Sequence, residues 1–143
     1  MRTIKVSCWN IQGYNSSLGG KKLLDPDFTN QISKSDIVGL SETHIFKEVL
    51  NELDIPNFTR LGFKIRKKMK NANKTSGGLA IFVKNEMAQL TELYETENTD
   101  VIWIKLKQKS TDYPNDIYIG SVYFCEENAG KILLKKLKNW MKI

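Results

Sequence analysis

The chain has 143 residues, of which 41% are hydrophobic and 27% are charged, and its formal net charge is +6 at pH 7. This length suits one domain with a substantial core, and the composition is typical of a soluble globular protein. No apolar run approaches the ~20 residues of a membrane-spanning helix, and the N-terminus lacks the apolar core of a secretory signal. We therefore expect an intracellular protein, with the nucleus as one location.

The positive charge is concentrated in two segments. Residues 64–74 and 131–142 contain no acid and together hold eleven of the twenty-two basic residues, so the rest of the chain has eleven bases against sixteen acids. Such clusters favour nucleic acid or another polyanion as a partner. A solvated lysine-rich surface is an equally open interpretation, since no aromatic residues interleave with the first cluster.

The two cysteines predict no disulfide framework. Cys8 and Cys125 each lie in an apolar segment, which is typical of buried free thiols. A zinc site needs about four soft ligands at close spacing, and the single His44 cannot supply the others.

The chain begins with a predicted strand and a short helix. Residues 4–9 alternate as a strand and lead into a loop over 13–20 that is rich in Gly, Ser and Asn. Asp25-Pro26-Asp27 is typical of a helix start, with a capping carboxylate and a proline in the first turn. Three apolar residues then share one helix face at a spacing of four: Leu24, Phe28 and Ile32.

The next strand is the most informative segment. Residues 37–40 are too continuously apolar for a half-exposed strand, so we predict that they are buried on both faces. Glu42 follows where this strand leaves the core. Chemistry in α/β proteins is commonly placed at such strand ends.

The rest of the chain predicts helical turns up to Pro56, four strands and a C-terminal amphipathic helix from Ala129. The four strands cover residues 58–65, 78–83, 101–106 and 117–124. Six strands and two substantial helices predict an α/β (α+β) fold with a mixed, mostly antiparallel sheet and helices on one face. The second face also needs cover, and these residues supply too little material for it.

Four motifs in this order resemble a known family. They are Trp9-Asn10-Ile11-Gln12-Gly13, Asp36-Ile37-Val38-Gly39-Leu40-Ser41-Glu42-Thr43-His44, Gly77-Gly78-Leu79-Ala80-Ile81-Phe82-Val83 and Ile117-Tyr118-Ile119-Gly120-Ser121-Val122-Tyr123. Together they resemble the endonuclease/exonuclease/phosphatase superfamily. Within it, Ser-Glu-Thr-His and Gly-Gly-Leu-Ala are most similar to the endonuclease domains of non-LTR retrotransposons, which are relatives of apurinic endonucleases and deoxyribonuclease I.

The resemblance covers only the first half of the family's domain. Family members are four-layer α/β sandwiches whose second half brings Gly-Asp-x-Asn and a C-terminal Asp-His pair, and this chain has neither motif. The resemblance therefore implies that residues 1–143 are a partial domain, the N-terminal half of such a sandwich and catalytically incomplete alone. It also implies DNA as the partner of the complete protein, and a reverse transcriptase domain in the same full-length polypeptide.

The resemblance also implies a role for particular residues. Glu42 corresponds to the carboxylate ligand of Mg²⁺ or Mn²⁺, Asn10 to the asparagine beside that metal, and Tyr123 to the tyrosine that reaches the scissile phosphate. Each also fits an ordinary structural role, as a charged strand end, a turn residue and a buried strand tyrosine. Gln12 is expected at the water shell of the metal. His44 is expected to make a structural hydrogen bond near Glu42, since the family's working histidine comes from the C-terminal motif.

Lys67 and Lys68, in the first basic segment, are predicted to bind substrate. After Tyr123 the chain departs from the family pattern, because Phe124-Cys125-Glu126-Glu127 replaces small residues and proline, and its two acids would repel phosphate. Two alternatives stay open. One is a phosphoesterase of the same superfamily that acts on lipid or sugar phosphates, and the other is a non-catalytic remnant that binds nucleic acid.

Overall fold

The computed structural model describes residues 3–15, 20–65, 77–94, 100–110 and 112–123, together with the helical positions 131, 134, 135 and 138. Strands dominate these residues, and the predicted mixed α/β class is confirmed. In chain order the elements are β1 (Val6–Asn10), α1 (Pro26–Ile32), β2 (Ile37–Ser41), β3 (Phe58–Lys64), β4 (Leu79–Lys84), α2 (Asn85–Ala88), β5 (Thr91–Tyr94), β6 (Val101–Leu106) and β7 (Ile117–Val122). Three short 3₁₀ helices cover Lys22–Leu24, Lys47–Glu52 and Gln108–Ser110.

The first sheet has four strands in the order β1-β2-β4-β3. β1 and β2 run parallel, so that Asn10 pairs with Ser41 where both strands end, and the other two pairings are antiparallel. The predicted mixed, mostly antiparallel sheet is therefore confirmed. Because β4 runs antiparallel to β2, it begins at the same end of the sheet at which β1 and β2 end.

The helical segments cover one face of this sheet. The carboxylate of Asp25 accepts hydrogen bonds from the backbone N–H groups of Asp27 (2.8 Å) and Phe28 (3.3 Å), which is the predicted helix cap. Leu23 and Ile32 from the helical segments then bury against this sheet face. The sheet contributes five side chains to this first core cluster: Val38, Leu40, Phe58, Ala80 and Phe82.

A second sheet, β5-β6-β7, covers most of the other face and is antiparallel throughout. Ile37 of β2 and alternate residues of β4 pack there against Ile102, Ile104 and Leu106 of β6. The prediction that these residues cannot cover the second face is therefore wrong. It failed because the six predicted strands were assigned to one sheet, whereas β6 and β7 form a second sheet with β5. β5 has only four residues, of which three are exposed, and so lacks the alternation that predicts a strand.

The two sheets approach each other closely at Gly39 of β2. A Cβ atom at this position would lie 2.9 Å from Ser121 Oγ of β7 and 3.3 Å from Cys8 Sγ of β1. Any larger residue would push these side chains away. Gly39 thus sets how closely β7 packs under β2.

β1 extends beyond the edge of the second sheet. β7 packs beneath β2, and both β1 and β7 are edge strands. Val6 is therefore 47% exposed, and Cys8 is exposed as well. The prediction of a buried thiol is wrong for Cys8, because no layer formed by the described residues lies beneath the strand that carries it. Cys125 lies outside the described residues.

Much of the C-terminal helix and of the first basic segment lies outside the described residues. Lys131, Leu134, Lys135 and Lys138 are helical and exposed. Within the described part of the chain, every helix is too short or too polar to cross a membrane.

We expect Leu106→Ala to lower the free energy of unfolding by about 3 kcal/mol, because Leu106 is fully buried between the two sheets. Urea denaturation followed by circular dichroism measures this change. Leu24→Ala is the matched control, since Leu24 is 60% exposed, and it should cost far less. Equal losses for the two variants would contradict the packing of the second sheet on the first.

Candidate active site

Three chain segments meet beyond the ends of β1 and β2. The loop after β1 continues to pair with the loop after β2, since the backbone N–H of Gly13 donates to Glu42 O (2.7 Å) and that of Tyr14 to Thr43 O (3.0 Å). The segment that leads into β4 joins them, because the N–H of His44 donates to Gly77 O at 3.0 Å. Residues of three separate sequence motifs are thereby held in one network of backbone hydrogen bonds.

This junction holds an unusual number of residues with a left-handed backbone. Gln12, Glu42 and His44 have φ angles of 48°, 53° and 51°, and in the described residues only Asn57 shares this property among non-glycines. A positive φ is unfavourable for most residues with a side chain. Such conformations persist where the surrounding structure imposes them, and they concentrate at functional sites.

Glycine is required where the segments approach one another. Gly78 has φ +99°, and a Cβ atom there would collide with the hydroxyl of Thr43, which is fully buried. Gly13 has φ +93°, and its Cβ would lie 3.3 Å from Nδ1 of His44. The Gly-Gly pair before β4 thus lets the β2 loop pass close to the start of β4.

Glu42 lies at the centre of this junction, where the doubly buried β2 ends. Its side chain keeps 23% of its surface exposed, and its Oε1 accepts a hydrogen bond from the hydroxyl of Tyr123. The other oxygen, Oε2, lies 4.0 Å from Nε2 of His44. The carboxylate is therefore held on one side and remains accessible from solvent.

Tyr123 reaches Glu42 from the second sheet. It follows β7 directly and lies 81 positions after Glu42 in the sequence. Its backbone N–H donates to Asp100 O at 3.0 Å, which fixes the end of β7 next to the start of β6. The structure thus brings two of the three predicted catalytic or metal-binding residues into direct contact.

The third residue, Asn10, ends the neighbouring strand. It is exposed, and its Oδ1 accepts a hydrogen bond from the backbone N–H of Gln12 at 3.1 Å. Gln12 is exposed as well. Asn10 therefore shapes the loop after β1, as a turn residue does, and it does so beside the Glu42 junction.

Lys22, for which the sequence predicted no role, also fixes this loop. Its Nζ donates to Ile11 O (2.6 Å) and Gln12 O (3.2 Å), so a cation lies under the backbone that follows Asn10. The only sequence signal was a lysine in the polar loop before α1. A cleft of about 690 Å³ borders the same loop, and the rings of Trp9 and Phe28 meet edge to face on its wall.

The predicted substrate-binding residues Lys67 and Lys68 lie outside the described residues. Within the described part of the chain, His, Cys, Asp and Glu side chains form no group of three that could hold a metal ion. Mg²⁺ needs only one or two protein carboxylates when it keeps several waters and binds substrate phosphate. The partly exposed carboxylate of Glu42, which follows the Ser41 that pairs with Asn10, fits a partial site of this kind.

Comparison with known proteins adds no family to these observations. No protein-family model matches the chain, and a search of curated proteins finds no match either. The resemblance to a family therefore depends on the sequence motifs.

We expect Tyr123→Phe to lower the free energy of unfolding by about 1 kcal/mol, because it removes the one hydroxyl that links the second sheet to the Glu42 carboxylate. Urea denaturation measures the difference. Tyr118→Phe is the matched control on β7, the strand that directly precedes Tyr123. Tyr118 is 53% exposed, so this substitution should leave stability unchanged. A loss as large for Tyr118→Phe would argue against the Tyr123 to Glu42 hydrogen bond.

Proposed function

We propose that this chain is the N-terminal part of a divalent-metal-dependent phosphodiesterase of the endonuclease/exonuclease/phosphatase superfamily, acting as a DNA endonuclease of a retrotransposon-like element. The observation that carries the proposal is the contact between Glu42 and Tyr123 at the end of β2. Two motifs that lie 81 positions apart, each matched to the family for its own reason, meet through their functional groups. If the resemblance were due to chance, these two side chains would not be expected to contact each other.

The residues of the junction suit phosphate chemistry. Glu42 would hold Mg²⁺ or Mn²⁺, and a bound cation would polarise a phosphate oxygen and stabilise the leaving alkoxide. Tyr123 orients the carboxylate by donating to Oε1, and so leaves Oε2 for the cation. Asn10 uses Oδ1 to accept from Gln12, so its NH₂ group remains a donor for a phosphate oxygen.

The side of the two sheets that is formed by β1 and β7 supports the second part of the proposal, that further polypeptide completes the domain. β1 and β7 are edge strands on the same side, and apolar residues are exposed on both, including Val6 at 47% and Val122 at 36%. Unpaired edges with apolar side chains favour the addition of more strands. Without the family's water-activating Asp and His, the 143 residues alone should lose most of the rate enhancement, because members of a catalytic unit are strongly non-additive.

We expect the chain to bind Mn²⁺ saturably and Glu42→Gln to abolish that binding, because the substitution removes the negative charge of the proposed ligand. Mn²⁺ titration followed by electron paramagnetic resonance measures the free ion. Glu48→Gln, at an exposed position, is the matched control. If Glu42→Gln binds Mn²⁺ as the parent chain does, the proposed metal site is wrong.

Activity is tested on a polypeptide that extends this chain through Gly-Asp-x-Asn and Asp-His motifs in its source sequence. Such a protein should nick supercoiled plasmid DNA only with Mg²⁺ or Mn²⁺, and Glu42→Ala should remove the nicking. Hydrolysis of lipid or sugar phosphates in preference to DNA would favour the phosphoesterase alternative.

Non-catalytic nucleic-acid binding is a second candidate, because the C-terminal helix carries exposed lysines at a helical spacing. Lys131, Lys135 and Lys138 lie on one helix face. The lysines in β6 and directly after it are less available for contacts with DNA. Lys105 lies 3.0 Å from Asp116, and this hydrogen bond raises the pKa of Lys105 above its usual value; Lys107 pairs with Glu92.

We expect the triple variant Lys131→Gln, Lys135→Gln, Lys138→Gln to weaken DNA binding and to flatten its salt dependence. Each lysine that contacts a phosphate contributes about 0.9 to the slope of log K against log salt concentration. Fluorescence anisotropy with labelled duplex DNA measures the slope. Lys105→Gln is the control, and an unchanged slope in the triple variant would exclude this helix face as the DNA contact.

A further inference from the structure

The imidazole of His44 lies between the two loops of the junction. The backbone N–H of His44 donates a hydrogen bond to Gly77 O at 3.0 Å, and the φ angle of His44 is 51°. On one side, Nδ1 lies 3.3 Å from the place where a Cβ of Gly13 would stand. On the other side, Nε2 lies 4.0 Å from Glu42 Oε2. The left-handed backbone and the missing side chain at Gly13 together place this ring beside the carboxylate.

The two oxygens of Glu42 have different surroundings. Oε1 accepts from the Tyr123 hydroxyl, whereas Oε2 faces the imidazole. Tyr123, which follows β7, and His44, which follows β2, thus each approach one oxygen of the carboxylate. An oxygen that binds a cation gains affinity when neighbouring groups fix its orientation.

We propose that His44 is a positioning residue of the cation site, whose imidazole, with Nε2 4.0 Å from Oε2 of Glu42, restricts the orientation of that carboxylate. This inference rests on the proposed function, namely that Glu42 binds a divalent cation. A purely structural role is carried by the backbone hydrogen bond to Gly77, which every substitution except proline keeps. The side chain of His44 remains 31% exposed, and it faces a carboxylate instead of the apolar core.

The experiment compares Mn²⁺ affinity in two His44 variants of the 143-residue chain. Asparagine tolerates a left-handed backbone and is too short to reach Oε2, whereas the longer glutamine places an amide N–H near the position of Nε2. We expect His44→Asn to weaken Mn²⁺ binding about 10-fold, the scale at which groups next to a metal ligand act. His44→Gln should restore most of the affinity. Electron paramagnetic resonance of free Mn²⁺ gives both constants.

Two controls separate the possible failures. Loss of Mn²⁺ binding in Glu42→Gln, with unchanged binding in His44→Asn, would overturn the role of His44 and leave the proposed function intact. Unchanged binding in Glu42→Gln would instead overturn the metal site itself. Urea denaturation of each variant reports stability, and weaker binding that only follows lower stability would also count against the proposal.

Discussion

The burial of β2 on both faces is the constraint on which the rest of this structure depends. Val38 and Leu40 pack under the helical segments, while Ile37 and Gly39 face the second sheet. A strand enclosed in this way cannot shift by one residue without exchanging the contents of the two cores. Its carboxyl end is therefore fixed in space, and with it the residue that follows, Glu42.

The second consequence of this constraint is the approach of β7. Gly39 offers no side chain, so Ser121 packs directly under β2 and the end of β7 comes to lie below the end of β2. That placement lets the hydroxyl of Tyr123 reach Glu42. The left-handed backbones of Glu42 and His44 cost free energy, and the two cores around β2 and β4 offset that cost.

The same architecture explains why the site is proposed to be half of a larger one. The helical layer and the second sheet enclose β2 and β4, but they leave the inner face of β1 without cover at Val6 and Cys8. The candidate active site opens beside this uncovered strand, since Asn10 ends β1. Polypeptide that paired with the free edges would therefore also lie next to Glu42, where the proposed chemistry needs additional groups.

The local features of this fold were predictable from the sequence. A continuous apolar run predicted that β2 is buried, and Asp25-Pro26-Asp27 predicted the start of α1, because both signals act over a few residues. The motifs also predicted site roles for Asn10, Glu42 and Tyr123, and these roles stay predictions. Only the tertiary structure decided that Cys8 is exposed, that the weakly patterned β5 forms a strand, and that Tyr123 and His44 flank one carboxylate. These features depend on contacts between segments far apart in the chain, and hydrophobic periodicity carries no information about which distant segments meet.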